Sequence, residues 1–136
     1  MKTGIKWLIL LVVCGFFLVA GLLKASDPAE FALSILRYRL VGEKLAWIAA
    51  LWLPWLEMIA ALALLWPRLR HAGIWLIFLL LLMFEVSLAS AAWRGLDIDC
   101  GCLGSGTETS VEMALIRNLV LMGSLLVLVR LEKVPQ

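Results

Sequence analysis

Residues 45–93 contain two long apolar runs, LAWIAALWLPWLEMIAALALLW (45–66) and AGIWLIFLLLLMFEVSLASAAW (72–93), which are joined by the five residues PRLRH (67–71). An α-helix needs about 20 predominantly apolar residues to cross the hydrocarbon core of a bilayer, and each run is long enough. Inside hydrocarbon the backbone amides must be hydrogen-bonded within their own segment, so each run is expected to be helical. The stretch therefore predicts two membrane-spanning helices with a short connection.

Two further runs of this kind flank the pair, at residues 5–23 and 113–129. The first is longer than the apolar core of a usual signal peptide and has no clean small-x-small cleavage site after it, so we interpret it as an uncleaved anchor. The fold class predicted is an all-α integral membrane protein, a four-helix bundle that forms one domain over residues 1–136. Five tryptophans lie close to predicted span ends, as in an interfacial aromatic belt: Trp7, Trp47, Trp66, Trp75 and Trp93.

The composition of the chain supports this class. Of its 136 residues, 64% are hydrophobic and 16% are charged, against about 25% charged residues in a typical soluble domain. The mean hydropathy is +1.03. Such a chain is neither a disordered tail, nor a disulfide-framed secreted module, nor a conventional soluble enzyme domain. A formal net charge of +2 provides no basic field for binding nucleic acid.

Basic residues divide almost evenly between the two sides of the predicted spans. The amino-terminal pair Lys2 and Lys6 favours a topology in which both termini are cytoplasmic and residues 94–112 are on the outer side. The basic residues assigned to the cytoplasmic side are Lys2, Lys6, Arg68, Arg70, Arg130 and Lys133, and those assigned to the outer side are Lys24, Arg37, Arg39, Lys44 and Arg94.

The connection after the first span predicts a short helix. Asp27 is suited to cap its start, Pro28 to occupy the first helical position, and Glu30 to complete the first turn. We expect the helix to lie along the membrane surface between spans 1 and 2, either as an interfacial connector or as a lid over a site within the membrane. Its apolar face contains Phe31, Ile35 and Tyr38.

The connection after the third span, residues 94–112, is the only stretch dense in polar residues and glycine, and it contains Cys100-Gly101-Cys102. A disulfide between the two cysteines would close a small, strained ring, and strained disulfides suit exchange. Gly101 tolerates the backbone angles that such a ring needs. Redox exchange is the favoured interpretation. A static bridge and binding of a soft metal such as copper(I) are the alternatives.

Charged residues surround the cysteine pair. Asp97 and Asp99 oppose formation of a thiolate, whereas Arg94 and Arg117 favour it. Arg117, which precedes Asn118 near the start of the fourth span, needs a partner if it is buried. We expect it either to pair with Asp97 or Asp99, or to extend to the lipid headgroups.

Glu57 and Glu85 are ionisable residues in the interiors of the second and third spans, where a charge costs at least about 2.5 kcal/mol. They could share one polar path, serving as a proton relay or as contacts for the head of a quinone or another small molecule. The alternative is a pair of protonated carboxyls that are hydrogen-bonded between helices. Pro54 is expected to bend the second span. Cys14, in the middle of the first span, is expected to pack as a small apolar residue.

Four segments give the chain a resemblance to the methylamine utilisation MauE family, which is similar to the DoxX-like four-helix membrane proteins. They are GLLKASDPAEF (21–31), LPWLEMIAALALLW (53–66), RGLDIDCGCLG (94–104) and IRN (116–118). The recurrent elements of that family are a membrane glutamate, a CGC-phenylalanine-glycine loop and an Arg-Asn pair. Leu103 replaces the phenylalanine here. The matching residues are Glu57, Cys100, Cys102, Gly104, Arg117 and Asn118.

The resemblance implies an accessory protein of the bacterial cytoplasmic membrane, associated with methylamine metabolism and with maturation of the disulfide-rich small subunit of methylamine dehydrogenase, beside a thioredoxin-like partner. Our first hypothesis is accordingly that Cys100 and Cys102 exchange disulfides with a thioredoxin-like protein or a disulfide-containing client. The second is that Glu57 and Glu85 bind or transport a small or lipid-like molecule in the bundle, with the cysteines structural. Handling of copper is a third, weaker hypothesis.

Overall fold

The computed structural model describes residues 1–96, 98 and 110–133, and within these residues the chain is helical with no strands. Four of its helices are long and apolar enough to span a membrane, which confirms the predicted four-span class. Each of these helices contains most of a predicted apolar run and extends beyond at least one of its ends. The helices are α1 (Lys2–Ser26), α2 (Pro28–Arg37), α3 (Glu43–Leu65), α4 (Arg70–Trp93) and α5 (Val111–Lys133).

The predicted start of the short helix α2 is confirmed. Asp27 separates α1 from α2, and its Oδ1 accepts a hydrogen bond from the backbone N–H of Glu30 at 3.1 Å. Pro28 occupies the first helical position, where its missing N–H costs nothing. Within α2 the Arg37 guanidinium lies 3.1 Å from the Glu30 carboxylate.

Helix α1 packs against α3 along most of its length. The two helices are in close contact at Gly21, where a Cβ atom would lie 2.9 Å from the carbonyl oxygen of Pro54 and 2.5 Å from Met58 Cγ. Helix α3 continues through Pro54 without a break. Cys14 is buried in the main apolar core and forms no disulfide, as the sequence predicts.

Charged side chains join three helices at one end of the bundle. The Glu132 carboxylate of α5 lies 3.3 Å from Lys6 Nζ of α1 and 3.1 Å from Arg70 Nη1 of α4. Arg70 also donates from Nε to the Leu64 carbonyl oxygen at 2.8 Å. The start of α1 and the end of α5 therefore lie at the same end of the bundle, as four spans require.

Helix α2 folds back on the bundle and does not stand apart from it. Its apolar residues Phe31 and Ala32 are buried against Ala50 of α3, with Leu53 packed beside them. The helix is thus part of the hydrophobic packing of the bundle, whereas its place along a membrane surface stays a prediction.

Candidate functional site

A buried ion pair joins α1 to α3. Lys24 Nζ donates to Glu57 Oε1 at 2.8 Å and to Oε2 at 3.1 Å, and the two side chains are 1% and 0% exposed. Lys24 is therefore a buried charge of the helix bundle and not an exposed basic residue of the connection after α1. Helix α1 continues to Ser26 before the chain turns, so Lys24 still lies on the helix face that packs against α3.

A signal for this pair was present in the sequence. Buried residues recur every three or four positions along α1, as they do on the inward face of a helix. Lys24 is the last of these residues. A lysine that continues the spacing of six small or apolar buried residues is expected to be buried itself. Such a lysine is a poor guide to which side of the membrane a loop lies on. The buried residues of α1 are Leu10, Val13, Cys14, Phe17, Ala20, Gly21 and Lys24.

Two aromatic rings complete the surroundings of the ammonium. Lys24 Nζ lies 4.7 Å from the ring centroid of Phe84 in α4 and 5.2 Å from that of Phe31 in α2. A desolvated contact of this kind contributes about 2 kcal/mol. Lys24 therefore brings α1, α2, α3 and α4 together around one charge.

Glu85 lies in a second polar group, between α4 and α5. Its carboxyl faces the amide of Asn118. Glu85 Oε2 and Asn118 Nδ2 are both buried, and neither makes a hydrogen bond to the described part of the chain. Since Phe84, the residue next to Glu85, contacts Lys24, the two glutamates lie at similar levels of the bundle. The structure gives them different partners, Lys24 for Glu57 and Asn118 for Glu85.

Arg117 connects this region to α1 and to the segment after α2. Its guanidinium lies 5.3 Å from the ring centroid of Phe16, and it interacts electrostatically with Lys24 and with the Tyr38 phenol. Burial raises the pKa of Tyr38 to about 12, against the opposing effect of the Arg117 charge. Tyr38 is therefore a neutral hydrogen-bonding group at physiological pH.

Most of the predicted cysteine site lies outside the described residues, namely Asp97, Asp99, Cys100, Gly101, Cys102 and Gly104. Pairing of Arg117 with either aspartate thus stays a prediction. What the structure describes is the entrance to this loop. Arg94, at the end of α4, donates from Nη2 to the Tyr38 carbonyl oxygen, and Ile98 packs beside Tyr38 and Val111. The loop therefore begins beside the α2–α3 connection, at the end of the bundle opposite the chain termini.

An apolar cleft of about 520 Å³ lies between α2, α3 and α4. Its inner wall includes Phe31 and Phe84, the two rings that contact Lys24. Its outer rim includes Ile48 and Trp52 of α3, which are exposed on the surface of the bundle. We call this feature the aromatic cleft. The sequence showed no sign of the cleft, because its walls come from three helices and their packing is not a local pattern.

Comparison with known proteins gives one consistent family. A family model described as methylamine utilisation protein MauE matches residues 2–131. Proteins named methylamine utilization protein MauE are similar to the chain: that of Paracoccus denitrificans is 31% identical, with 86% of this chain and 64% of the relative covered. That of Methylophilus methylotrophus is 35% identical, and the match covers 67% of this chain and 48% of the relative. That of Methylorubrum extorquens is 33% identical, and the match covers 74% of this chain and 57% of the relative.

The matched part of the chain spans between about half and two thirds of the length of these relatives. No solved structure matches the chain significantly. The family match covers α1 to α4, the loop between α4 and α5, and α5 except for its last two residues. From its sequence and its four apolar helices, the chain belongs to the family of the methylamine utilisation protein MauE.

Proposed function

We propose that this protein is an accessory protein of methylamine utilisation that takes part in thiol–disulfide exchange through Cys100 and Cys102. Family membership supports the link to methylamine utilisation. The observation that carries the chemistry is the sequence Cys100-Gly101-Cys102 in a polar loop between two membrane-length helices. Two thiols one residue apart form a small ring on oxidation, and a strained disulfide is readily reduced by a second dithiol.

The exchange balances without a further reactant. The thiolate of one cysteine attacks a sulfur of the partner disulfide, the partner leaves one thiolate, and a mixed disulfide forms. The second cysteine then attacks this mixed disulfide, which closes the Cys100–Cys102 bridge and releases the partner as a dithiol. Two electrons pass to the partner together with two protons. The reverse sequence oxidises the partner instead.

The proposed partner is a thioredoxin-like protein or a disulfide-containing client outside the cytoplasm. In the proposed topology the protein lies in a bacterial cytoplasmic membrane with both termini in the cytoplasm and the cysteine loop on the outer side, where disulfides persist. The described ends of the loop fit this role, because Arg94 and Tyr38 hold its entrance at the end of the bundle away from Lys6 and Glu132.

The test is the redox state of Cys100 and Cys102 in native membranes. Samples of a Cys14→Ser protein are quenched in acid and alkylated with a mass-tagged maleimide, with and without prior reduction. We expect a mixed population that shifts with mild oxidant or reductant. We also expect Cys102→Ser to capture a partner through Cys100, whereas the Cys100→Ser/Cys102→Ser control captures none. A bridge that stays oxidised in mild reductant, with no captured partner, would show that the cysteines only brace the loop.

A further inference from the structure

The Lys24 ammonium has more donors than Glu57 uses. A lysine ammonium has three N–H groups, and two hydrogen bonds go to the Glu57 carboxylate at 2.8 and 3.1 Å. Among the described residues no other acceptor is hydrogen-bonded to Nζ, and its remaining close contacts are the Phe31 and Phe84 rings. A ring face is a weaker partner for an N–H than an oxygen atom is. One N–H of the ammonium therefore has no oxygen acceptor among the described residues.

Those two rings are also the inner wall of the aromatic cleft. The Lys24 charge is therefore separated from the cleft by a single layer of aromatic side chains. Rotation of one ring would expose the ammonium to whatever occupies the cleft. Because aromatic side chains are not bonded to the charge, this change breaks no hydrogen bond in the ion pair.

The cleft itself suits a hydrocarbon chain. Among the described residues that line it, none carries a formal charge, and the polar groups belong to Ser34, Tyr38, Ser87 and the indole of Trp52. Its volume of about 520 Å³ falls within the range of about 300–1,000 Å³ for small-molecule sites. Trp52, at its rim, is 72% exposed in the middle of the membrane-length helix α3. The opening therefore faces the hydrocarbon of the bilayer.

We propose that the aromatic cleft binds a neutral lipid with one long hydrocarbon chain and a carbonyl-bearing head, the chemical class that includes membrane quinones. The chain lies along the cleft towards the Trp52 rim. The head replaces a ring at Lys24 and accepts the third N–H of the ammonium. This site is separate from the cysteine chemistry, and the proposal does not depend on it.

Charge decides the class of head group. Glu57 already neutralises Lys24, so an anionic head would leave one uncompensated negative charge in an apolar bundle, which is costly. A cationic head would be repelled by the Lys24 ammonium and offers no acceptor for its third N–H. A neutral carbonyl oxygen adds an acceptor without adding charge. A phospholipid, whose charged head belongs at the membrane surface, does not meet this condition.

The proposal is tested with the full-length protein in lipid nanodiscs and with decylubiquinone as the probe. Quinones quench tryptophan fluorescence at short range, and Trp52 reports on the rim. We expect a saturable component of quenching that is absent from Trp52→Phe. Equal, linear quenching of both proteins would mean simple partition of the probe into the bilayer and would overturn the proposal.

Two variants locate the site. Ala49→Phe fills the cleft, of which Ala49 is a lining residue, and we expect it to abolish saturable quenching. The matched control is Ala89→Phe, which makes the same change at an exposed position of α4 outside the cleft, and it should bind as the wild type does. Unchanged saturable binding by Ala49→Phe would overturn the proposed location.

The contact with the head is tested by removing both charges together. Lys24→Met/Glu57→Met replaces the ion pair by apolar side chains of similar length, so that no charge is left buried and unpaired. We expect its affinity for decylubiquinone to fall about tenfold, because a hydrogen bond to a charged donor is lost. An unchanged affinity would overturn the role of Lys24.

A phospholipid with brominated acyl chains tests whether bulk lipid fills the cleft. If it quenches Trp52 equally and decylubiquinone does not compete with it, bulk lipid fills the cleft and the proposal is overturned.

Discussion

Lys24 Nζ lies 2.8 Å from Glu57 Oε1, although the two residues are 33 positions apart in the chain, and both side chains are at most 1% exposed. Removal of two charges from water is costly, and their attraction repays this cost only when the remaining donors and acceptors are satisfied. The bidentate hydrogen bonds use two of the three N–H groups of the ammonium, and the rings of Phe31 and Phe84 supply weaker contacts. The pair should therefore be stable only when both of its members are present.

We expect Lys24→Met alone and Glu57→Met alone each to lower the free energy of unfolding by about 3–5 kcal/mol, because each leaves one buried charge unpaired. The double variant should be much closer to the wild type than the sum of the two single changes predicts. Reversible unfolding in mixed detergent micelles measures all four proteins, and additive single effects would contradict a direct pair. Lys6→Met, which removes a partly exposed contact to Glu132, is the control and should cost about 1 kcal/mol or less.

The close contact between α1 and α3 leaves no space for a side chain at Gly21. The Cβ atom of Gly21→Ala would lie 2.9 Å from the Pro54 carbonyl oxygen, so the helices must move apart, at a cost of about 1–3 kcal/mol. Gly15→Ala is the matched control on the same helix, because a Cβ atom there has nothing within 4 Å. Thermal unfolding of both variants is the measurement. Equal stability of the two would mean that the contact at Gly21 relaxes freely.

The backbone at Arg39 should prefer glycine. Its φ is 54°, in the left-handed region where a residue with a Cβ atom is strained by about 1–2 kcal/mol. We expect Arg39→Gly to be neutral or stabilising, by up to about 1 kcal/mol, and Arg39→Val to be destabilising, since a β-branched side chain is the least tolerant of this conformation. Thermal unfolding ranks the three proteins. Greater stability of Arg39→Val than of Arg39→Gly would contradict this view of the turn.

Cys14 should be protected from alkylation in the folded protein. It is 4% exposed and packed in the main core. In a Cys100→Ser/Cys102→Ser background, a membrane-permeant maleimide should label Cys14 slowly in native membranes and completely after denaturation in sodium dodecyl sulfate. A Lys2→Cys/Cys14→Ser protein in the same background is the control, because position 2 is exposed at the first residue of the same helix. Rapid labelling of native Cys14 would show that the core opens readily.

Tyr38 is the only tyrosine in the chain, so its ionisation can be followed directly by ultraviolet absorbance. Burial raises its pKa to about 12, against about 10 for an ordinary tyrosine. The folded state therefore holds the proton more tightly than the unfolded state, and this contribution to stability is complete below about pH 10 and is lost as the pH rises to about 12. We expect an absorbance midpoint near pH 12 in detergent micelles. A midpoint near 10 in folded protein would show that the phenol is solvated.

Local patterns were sufficient for several features of the site. Asp27, Pro28 and Glu30 predicted the start of α2, and the central glutamate of the second span was identified as a functional candidate from the cost of a charge in hydrocarbon. The partner of that glutamate was missed, because Lys24 was read as the charge that ends the first span. Lys24 continues the spacing of the buried residues of α1, and this spacing predicts its burial better than its place at the end of the apolar run does.

The number and approximate bounds of the membrane-length helices, the short helix between the first two, and the family can all be predicted from the amino-acid sequence. These are local properties, since the thickness of a bilayer sets the length of an apolar run, and a cap or a proline acts within one turn. The packing of the helices brings Lys24 to Glu57 and Asn118 to Glu85, and it places Phe31 and Phe84 between a buried charge and an apolar cleft. Those relationships depend on how each helix is rotated about its axis and how closely it approaches its neighbours, which is set by packing between residues far apart in the chain.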